Sequence, residues 1–458
     1  MTDERSPEDM STETIRPGDE GFERAVVEGV FNAMVAAGRP AAVVRPRSED
    51  EVVRAVKDAV AGGQRIAVRS GGHSWVAASV REGGVLIDLG KLDGITVDAQ
   101  QMVATIGPAV RGRMLSAALE AEGLAFPVGH CGDPGVGGFL LGGGLGVNWG
   151  AWLPSCFSIR SLRVVTADGE LRTASAEENP ELFWLARGAG PGFPGIVTSI
   201  EVALRPAPEA VRVSTWVYPL EDVAAVTRWI TEASERLVPN VEVAVATQGA
   251  ERAGGSGEHP LVVSVAATAV IEAGSDIDAL APLGDGAPGL VPLERFEGPA
   301  RMSELHVPVD ATYPEGARYL ADTFWTHAPL DEAVAPLEAL MASAPSGKSY
   351  VLTGMPANGR GADLLPVGEA AYGMHDTTLI IVYVIWDDPA DDAANRAWLD
   401  EVAAALLPTC TGHALSEADI REHPERIARS FRHEDWPRVQ DLIARFDPEG
   451  VFYGFPRA

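Results

Sequence analysis

Two glycine-rich turns constrain this chain more than any other feature of its sequence. The first, at residues 69–75, follows a short apolar run at 65–68 and presents His73 at the end of a strand. The second presents Cys131, and nine of the eighteen residues at 129–146 are glycine. Because glycine has no Cβ, such turns let backbone N–H groups approach a large anionic cofactor closely. The sequence therefore predicts a cofactor site that holds one imidazole and one thiol.

Length and charge set the broad class of protein. A chain of 458 residues is too long for one ordinary core, so two domains are expected. A net charge of −29 argues against binding to nucleic acids or to anionic membrane surfaces, which requires clustered Lys and Arg. A small-molecule substrate in a shielded pocket is compatible with that charge.

The amino terminus, the lack of a long apolar stretch and the small number of cysteines favour a cytoplasmic protein. Residues 1–14 are polar and acidic, without the apolar core of a signal peptide. No stretch reaches 18 consecutive apolar residues, so no membrane span is expected. Three cysteines, at positions 131, 156 and 410, cannot form a disulfide framework, and a reducing cytoplasm is the simplest setting.

Periodicity divides the chain near Pro206 and Pro208. Residues 1–20 are predicted to be a flexible leader. Before the boundary we predict strands at 65–69, 85–89, 102–106 and 196–202, a capped helix that starts after Ser48, and a helix at 113–121. After it we predict strands at 211–218, 261–268 and 379–386, helices at 220–237, 390–406 and 436–446, and loops over much of 250–300. Long helices over strands far apart in sequence indicate an α+β domain with an antiparallel sheet.

Other functional motifs are incomplete in this sequence. The pattern G-x-G-x-x-G at 190–195 contains prolines and leads into a strand, so the helix that should hold a dinucleotide pyrophosphate is missing. Lys348 and Ser349 end like a phosphate-binding loop, but Ala342 stands where that loop needs glycine. Cys410 and His413 have metal-like spacing without a second ligand pair, so no metal site is predicted.

The two turns resemble the flavin-attachment motifs of the berberine bridge enzyme-like oxidases, which have the vanillyl-alcohol oxidase / p-cresol methylhydroxylase flavin-binding fold. Residues 69–74 match that family's Arg-Ser-Gly-Gly-His-Ser stretch, and residues 131–138 match its Cys-x-x-Val-Gly-Val-Gly-Gly stretch, with Pro134 in place of the first valine. The resemblance implies bicovalent FAD, with His73 bonded to the 8α-methyl group and Cys131 bonded to C6 of the ring. A turn rich in N–H donors is one way to favour the thiolate that Cys131 needs.

The resemblance also implies a fold and its domain limits. It implies a two-domain α+β flavin-binding fold, in which residues 21–206 form an FAD-binding domain of the PCMH type, with two small α/β subdomains. Residues 207–404 would form the substrate-binding domain, an antiparallel sheet covered by helices, and residues 405–458 a segment that returns to the FAD-binding domain. The cofactor-binding residues that it implies are His73, Cys131, Arg69, Ser70, Gly71, Gly72, Ser74, Gly135, Val136, Gly137, Gly138, Gly195, Ile196 and Val197.

The expected activity is an FAD-dependent oxidation of a hydroxyl- or phenol-bearing substrate, either a secondary-metabolite intermediate or a sugar, with O2 as electron acceptor. Pro134 replaces the valine that gates oxygen in the family, so a dehydrogenase with another acceptor is the alternative. Ala414 occupies the position of the family's tyrosine base. Either His413 replaces that base, or the flavin site is redox-inactive and the chain is a binding protein. Six aromatic residues are candidates for a substrate pocket, with core packing as the alternative for each one: Trp216, Tyr218, Trp325, Tyr372, Tyr383 and Trp386. The sequence leaves the substrate and the oligomeric state open.

Overall fold

The structure, a computed structural model, describes residues 12–35, 37–253 and 260–455. Their strands form sheets of four, five and eight strands and one two-stranded ladder, with helices packed between and over them. This is the two-domain α+β architecture that the resemblance implies. Among the described residues no helix combines the length and the apolar character that a bilayer crossing requires.

The first sheet carries the first glycine turn. Its members, with two flanking helices, are β1 (Glu13–Ile15), β2 (Ala42–Arg45), β3 (Ile66–Arg69), β4 (Val85–Asp88), α1 (Phe22–Val27) and α2 (Glu49–Ala61). The strand order is β1-β2-β4-β3, with β1 antiparallel to β2 and the other pairs parallel. Ser48 caps α2 as predicted, since its hydroxyl accepts a hydrogen bond from the Glu51 N–H at 3.3 Å. The first glycine turn begins where β3 ends.

Residues Glu13–Ile15 of the stretch predicted as a flexible leader form β1 of this sheet. β1 pairs with β2 in the register Glu13 to Arg45, and Ile15 packs against the cluster that contains Phe22 and Val43. The leader prediction was wrong here, because a strand of three residues is too short to show a periodic pattern. Residues 1–11 of that prediction lie outside the described residues.

The second glycine turn lies within the chain segment that forms the second sheet and its helices. Its antiparallel strands are β5 (Ile95–Asp98), β6 (Val103–Ile106), β8 (Ile159–Val165), β9 (Leu171–Ser175) and β10 (Ile196–Ala203), in the order β5-β6-β10-β8-β9. A short ladder joins β7 (Leu124–Ala125) to β11 (Arg205–Pro206). The helices of this part are α3 (Gly112–Ala121), α4 (Val136–Leu141), α5 (Trp149–Trp152) and α6 (Pro180–Ala186). The Cys131 turn lies between β7 and α4.

The eight-stranded sheet is antiparallel and forms the second domain. Its strands are β12 (Ala210–Pro219), β13 (Val241–Gly249), β14 (Leu261–Ile271), β15 (Glu294–Ala300), β16 (Arg318–Thr326), β17 (Tyr350–Gly354), β18 (Thr378–Trp386) and β19 (Cys410–Gly412), in the order β15-β12-β14-β13-β17-β18-β16-β19. The remaining helices are α7 (Val223–Ser234), α8 (His306–Asp310), α9 (Leu330–Val334), α10 (Leu337–Ala342), α11 (Gly361–Leu364), α12 (Asp392–Leu406), α13 (Glu425–Ala428) and α14 (Trp436–Phe446).

The two faces of this sheet have different surroundings. In β18, Val382 and Val384 pack into the core with α7, α9, α10 and α12, whereas Ile381 and Tyr383 line a large cavity. Successive side chains of a strand point to opposite faces. The same strands therefore supply both the hydrophobic core and one wall of the cavity.

β15 was not predicted from the sequence. Its Gly298 and Pro299 argue against a strand in the interior of a sheet. The structure places β15 at the edge, where it pairs with β12 on one side only. An edge strand tolerates proline because one side of its backbone has no ladder to complete.

The C-terminal segment contacts both domains. β19 pairs with β16 at one edge of the eight-stranded sheet. Arg426 in α13 forms a buried ion pair with Asp322 of β16. Further on, the Ile66 N–H donates to the Val451 carbonyl at 2.8 Å, which joins the segment to β3.

Candidate active site

A cavity of 1270 Å³ lies between the two glycine turns and the open face of the eight-stranded sheet. Pockets for single small molecules span roughly 300–1000 Å³, so this one has room for a large cofactor and a substrate together. His73 and Cys131 both line it, as do residues of β12, β13, β14, β17 and β18. The structure thus brings the predicted imidazole and thiol into one cavity.

The two glycine turns touch through their backbones. A Cβ on Gly71 would lie 2.2 Å from the Gly135 nitrogen, and a Cβ on Gly135 would lie 2.7 Å from the Gly71 Cα. Arg111 bridges the same turns, because its Nη1 donates to the Gly71 carbonyl at 2.9 Å and also to the Asp133 carbonyl. Gly72 adds a left-handed conformation, with φ +73. Glycine is therefore required here by packing and by backbone geometry.

His73 is held as a neutral ring. Its imidazole stacks on Phe31, with ring centroids 5.0 Å apart and 17° between the planes. Burial, and then the Arg111 guanidinium, lower the pKa of His73 to about 4. A neutral imidazole has a free nitrogen lone pair at pH 7, which covalent attachment requires.

Cys131 is in an environment that favours the thiol. Burial raises its pKa, and the carboxylates of Asp310 and Glu417 raise it further. Asp310 accepts a hydrogen bond from the Gly132 N–H at 2.9 Å and contacts His306 Nδ1 at 2.7 Å. The N–H donors of the turn do not offset these effects, so the thiol is the favoured form of Cys131 and the expected thiolate is not.

The other predicted cofactor residues fall into two groups. Those that line the cavity are Arg69, Ser70, Gly71, Gly72, Ser74, Gly135, Gly137, Gly138, Gly195 and Val197. Val136 and Ile196 are instead buried in hydrophobic clusters and are outside the described lining. The Arg69 guanidinium donates to the carbonyls of Ala25 and Val26 and to Asp88, so its side chain ties α1 to the first sheet and only its backbone is available to a cofactor.

His413, the predicted replacement base, lies away from the cavity. It is 1% exposed, and its Nδ1 contacts the Thr323 carbonyl at 2.5 Å. Burial lowers its pKa to about 4. Ala414, the next residue, lines the cavity instead, since adjacent side chains in an extended segment point to opposite sides. The structure therefore gives His413 no access to a substrate.

A charged pair beside Cys131 joins the two domains. His130 Nε2 contacts Glu242 Oε1 at 2.5 Å, and Glu242 also accepts a hydrogen bond from the Asn148 N–H at 2.9 Å. Burial lowers the pKa of His130, but Glu242 more than offsets this and leaves it raised. Burial raises the pKa of Glu242, and His130 more than offsets this and leaves it lowered. The ion pair therefore favours the protonated form of His130 and the ionised form of Glu242.

Aromatic side chains and one carboxylate form the substrate side of the cavity. The Tyr383 hydroxyl donates to Glu417 Oε2 at 3.0 Å, and the Trp75 and Tyr383 rings lie 5.1 Å apart. Tyr350 stacks on Tyr383 at 4.8 Å, and its hydroxyl contacts that of Tyr313. Burial raises the pKa of Glu417, which the hydrogen bond from Tyr383 only partly offsets. A carboxylate with a raised pKa beside an open cavity is suited to general-base chemistry.

Sequence reasoning found only part of this constellation. Tyr383 was a candidate, but Glu417, His130, Glu242 and Asp310 were not assigned a role. Their partners are distant in the sequence, as shown by the separation of 112 positions from His130 to Glu242. The signal that was available for Glu417 was its position in the segment where the family places a base.

The residues present fit an FAD. The contacting turns leave a surface without side chains, so backbone N–H groups can face an anionic cofactor. His73 is neutral, and the buried Tyr372 hydroxyl in the cavity lining has no hydrogen-bond partner among the described residues. Backbone at residues 69–72 and 135–138 would hold the cofactor, with His73 and Cys131 beside its ring.

Comparisons with known proteins agree with this geometry. A family model described as an FAD binding domain matches residues 40–175, a range that contains both His73 and Cys131. An FAD-linked oxidoreductase of Penicillium ochrochloron is 30% identical over 386 residues, covering 83% of each chain. The crystal structure of 6-hydroxy-D-nicotine oxidase from Arthrobacter nicotinovorans has a TM-score of 0.83 at 23% identity and covers 97% of each chain. BBE-like 1 of Physcomitrella patens has a TM-score of 0.83 at 20% identity, also over 97% of each chain.

The fold and the site together define a two-domain flavoprotein oxidoreductase. An imidazole and a thiol lie in contacting glycine turns, and an antiparallel sheet supplies the opposite wall of the cavity. The chain belongs to the FAD-linked oxidoreductases.

Substitution of Gly71 by alanine should impair FAD binding. The new Cβ would meet the Gly135 nitrogen at 2.2 Å, and overpacking of this kind costs about 1–3 kcal/mol. We expect the ratio of flavin to protein absorbance after purification to fall well below that of the wild type. Gly94→Ala is the control, because its Cβ would enter open space. Equal flavin content in Gly71→Ala and wild type would contradict the turn contact.

The pair of His130 and Glu242 should make stability depend on pH. Because the pKa of His130 is raised, its contribution to the free energy of unfolding is complete below about pH 6.5 and is lost as the pH rises through the raised pKa. Because the pKa of Glu242 is lowered, its contribution to the free energy of unfolding is present above about pH 4.5 and is lost as the pH falls through the lowered pKa. Melting temperatures of wild type and His130→Gln should therefore differ most near pH 5.5–6.5 and converge at alkaline pH. The exposed His433→Gln is the control, and a difference that is independent of pH would refute the charged pair.

Proposed function

We propose that this enzyme holds FAD through covalent bonds to both His73 and Cys131 and oxidises a hydroxyl- or phenol-bearing small molecule, with O2 as electron acceptor. One observation carries the proposal: both side chains line a single cavity whose two glycine turns are in backbone contact. Neither residue type is needed at a purely structural turn. A secondary-metabolite intermediate or a sugar is the expected substrate class.

The side chains near the anchors suit covalent attachment. His73 is neutral, so its nitrogen can form a bond without first losing a proton. Cys131 must lose its proton, and Asp310, which is hydrogen-bonded to the N–H of Gly132, is placed to accept it. His306 contacts the other oxygen of Asp310 and so orients that carboxylate.

Glu417 is the proposed general base. When bound, the flavin supplies the hydride acceptor for the substrate C–H bond. Glu417 lines the cavity, and its raised pKa makes it a stronger base than an exposed glutamate. Tyr383 donates a hydrogen bond to Glu417 and thereby orients its carboxylate in the cavity wall. This assignment replaces His413, whose ring faces Thr323 and not the substrate space.

A dehydrogenase with another acceptor is the alternative, and Pro134 is the observation behind it. Pro134 lines the cavity at the position of the family's oxygen gate. Its ring is bonded to the backbone nitrogen and crowds that atom, which a valine side chain does not. Rapid reoxidation of the reduced flavin in air, followed by stopped-flow absorbance, would exclude this alternative. If reoxidation is slow and Pro134→Val accelerates it, the dehydrogenase would be correct.

Acid denaturation tests the covalent attachment. We expect flavin to remain on the wild-type protein and on each of His73→Ala and Cys131→Ala, because one bond survives in each single variant. The double variant should release its flavin. Intact-mass analysis after acid precipitation shows whether flavin remains attached to each of the four proteins. Complete release of flavin by the wild type would refute the bicovalent proposal.

Glu417→Gln should lower turnover by about 10²–10⁴-fold, the usual contribution of a general base. In the wild type, kcat/KM should fall as the pH drops through the raised pKa of Glu417, because the protonated carboxyl cannot accept a proton. The variant should lose this acidic limb of the profile. Glu422→Gln, exposed in the same segment, is the control. A variant that keeps the wild-type rate and profile would remove Glu417 from the mechanism.

A further inference from the structure

Arg252 lines the cavity from the side of the eight-stranded sheet. It lies just after β13, in the short helical turn Ala250–Ala253. Its guanidinium carbon is 3.6 Å from the centre of the Tyr350 ring and 5.7 Å from that of Tyr313. A guanidinium at this distance stacks on the aromatic face and leaves its edge free for hydrogen bonding.

In the part of the chain that the structure describes, Arg252 makes no ion pair. Its Nη1 donates to the Thr312 carbonyl at 2.8 Å and more weakly to the Lys348 carbonyl at 3.5 Å, while Nε and Nη2 have no described hydrogen-bond partner. The chain has 65 acidic residues and 36 Lys and Arg, so a cation without a carboxylate partner runs against its composition. Guanidinium groups present a fork that matches carboxylates in geometry.

The other arginines of the described cavity lining have roles on the glycine-turn side. Arg69 is paired with Asp88, and Arg113 is paired with Asp133. Arg81 and Arg111 have no carboxylate partner among the described residues, but they donate to backbone carbonyls on the glycine-turn side of the cavity. Within the described lining, Arg252 is the only lysine or arginine that comes from the eight-stranded sheet side.

The tyrosines connect Arg252 to the proposed base. Tyr350 is stacked between Arg252 on one side and Tyr383 on the other, with its ring 4.8 Å from that of Tyr383. Tyr383 donates to Glu417. Arg252 is also close enough to Cys131 to lower the pKa of that thiol in part. The cation, the base and the flavin anchor therefore border the same small part of the cavity.

We propose that the substrate of this enzyme carries a carboxylate, which Arg252 binds while the tyrosine surface of Tyr313, Tyr350 and Tyr383 contacts the body of the molecule. The hydroxyl that is oxidised then faces Glu417. This inference rests on the proposed function above and adds to it the chemical class of the substrate, a hydroxy acid with a planar or aromatic body. The guanidinium is preorganised by its stacking on Tyr350, so less entropy is lost on binding.

The test uses two pairs of probes that differ only in charge. 4-Hydroxybenzoate and 4-hydroxybenzamide, and 4-hydroxyphenylacetate with its amide, are titrated into the flavin-loaded protein, and binding is read from the change in flavin absorbance. We expect at least one acid to bind the wild type about tenfold or more tightly than its amide, as a charge-assisted hydrogen bond implies. Arg252→Gln should abolish this preference, and Arg252→Lys should retain part of it.

Controls separate recognition from structure. Arg295→Gln removes an arginine from β15, outside the described cavity lining, and should leave both affinities unchanged. If Arg252 only packs on Tyr350, Arg252→Gln will lower the melting temperature and weaken acid and amide equally, which overturns the proposal. Equal binding of acid and amide by the wild type overturns it as well.

Failure of this inference is distinguishable from failure of the proposed function. Binding is read on the flavin that the protein holds, whether or not it is covalent. Release of that flavin by acid, together with an acid preference that depends on Arg252, would refute bicovalent attachment and leave the carboxylate site in place.

Discussion

The cavity depends on one close approach between two backbone segments. Gly71 and Gly135 meet at a distance that no Cβ can occupy, and each belongs to a turn that extends from a different sheet. The contact therefore joins the two subdomains of the FAD-binding part, and it brings His73 and Cys131 to one cavity.

Burial then sets the chemistry of the two anchors in opposite senses. For an imidazole, desolvation disfavours the cation, so the pKa of His73 falls and the reactive neutral form dominates. For a thiol, desolvation disfavours the anion, so the pKa of Cys131 rises and the unreactive form dominates. The same low-dielectric environment therefore favours the nucleophilic form of His73 and disfavours that of Cys131. In the proposed attachment Asp310 would take the proton of Cys131, whereas neutral His73 needs no base to expose its lone pair.

The opposite wall of the cavity comes from a sheet with alternating roles. In β18 the residues that face the helices are hydrophobic, namely Ile380, Val382, Val384 and Trp386, whereas those that face the cavity include Tyr383. Packing on the helix side holds the strands in place and so fixes where the cavity side chains lie. Residues on the cavity face can therefore be substituted without disturbing the core on the other face. That separation is consistent with one scaffold serving several FAD-linked oxidoreductases.

The sequence by itself determined the motif-bearing part of this protein. Glycine at positions 71, 72 and 135 and the anchors His73 and Cys131 are local signals, and regular alternation predicted strands such as β18 and the capped start of α2. Tertiary structure decided what depends on distant partners. It buried His413 against Thr323, placed Glu417 beside Tyr383 and left Arg252 facing the cavity, because each position follows from packing between segments far apart in the chain. Short-range patterns encode turns and strands, but only the packed sheet determines which polar side chains share one cavity.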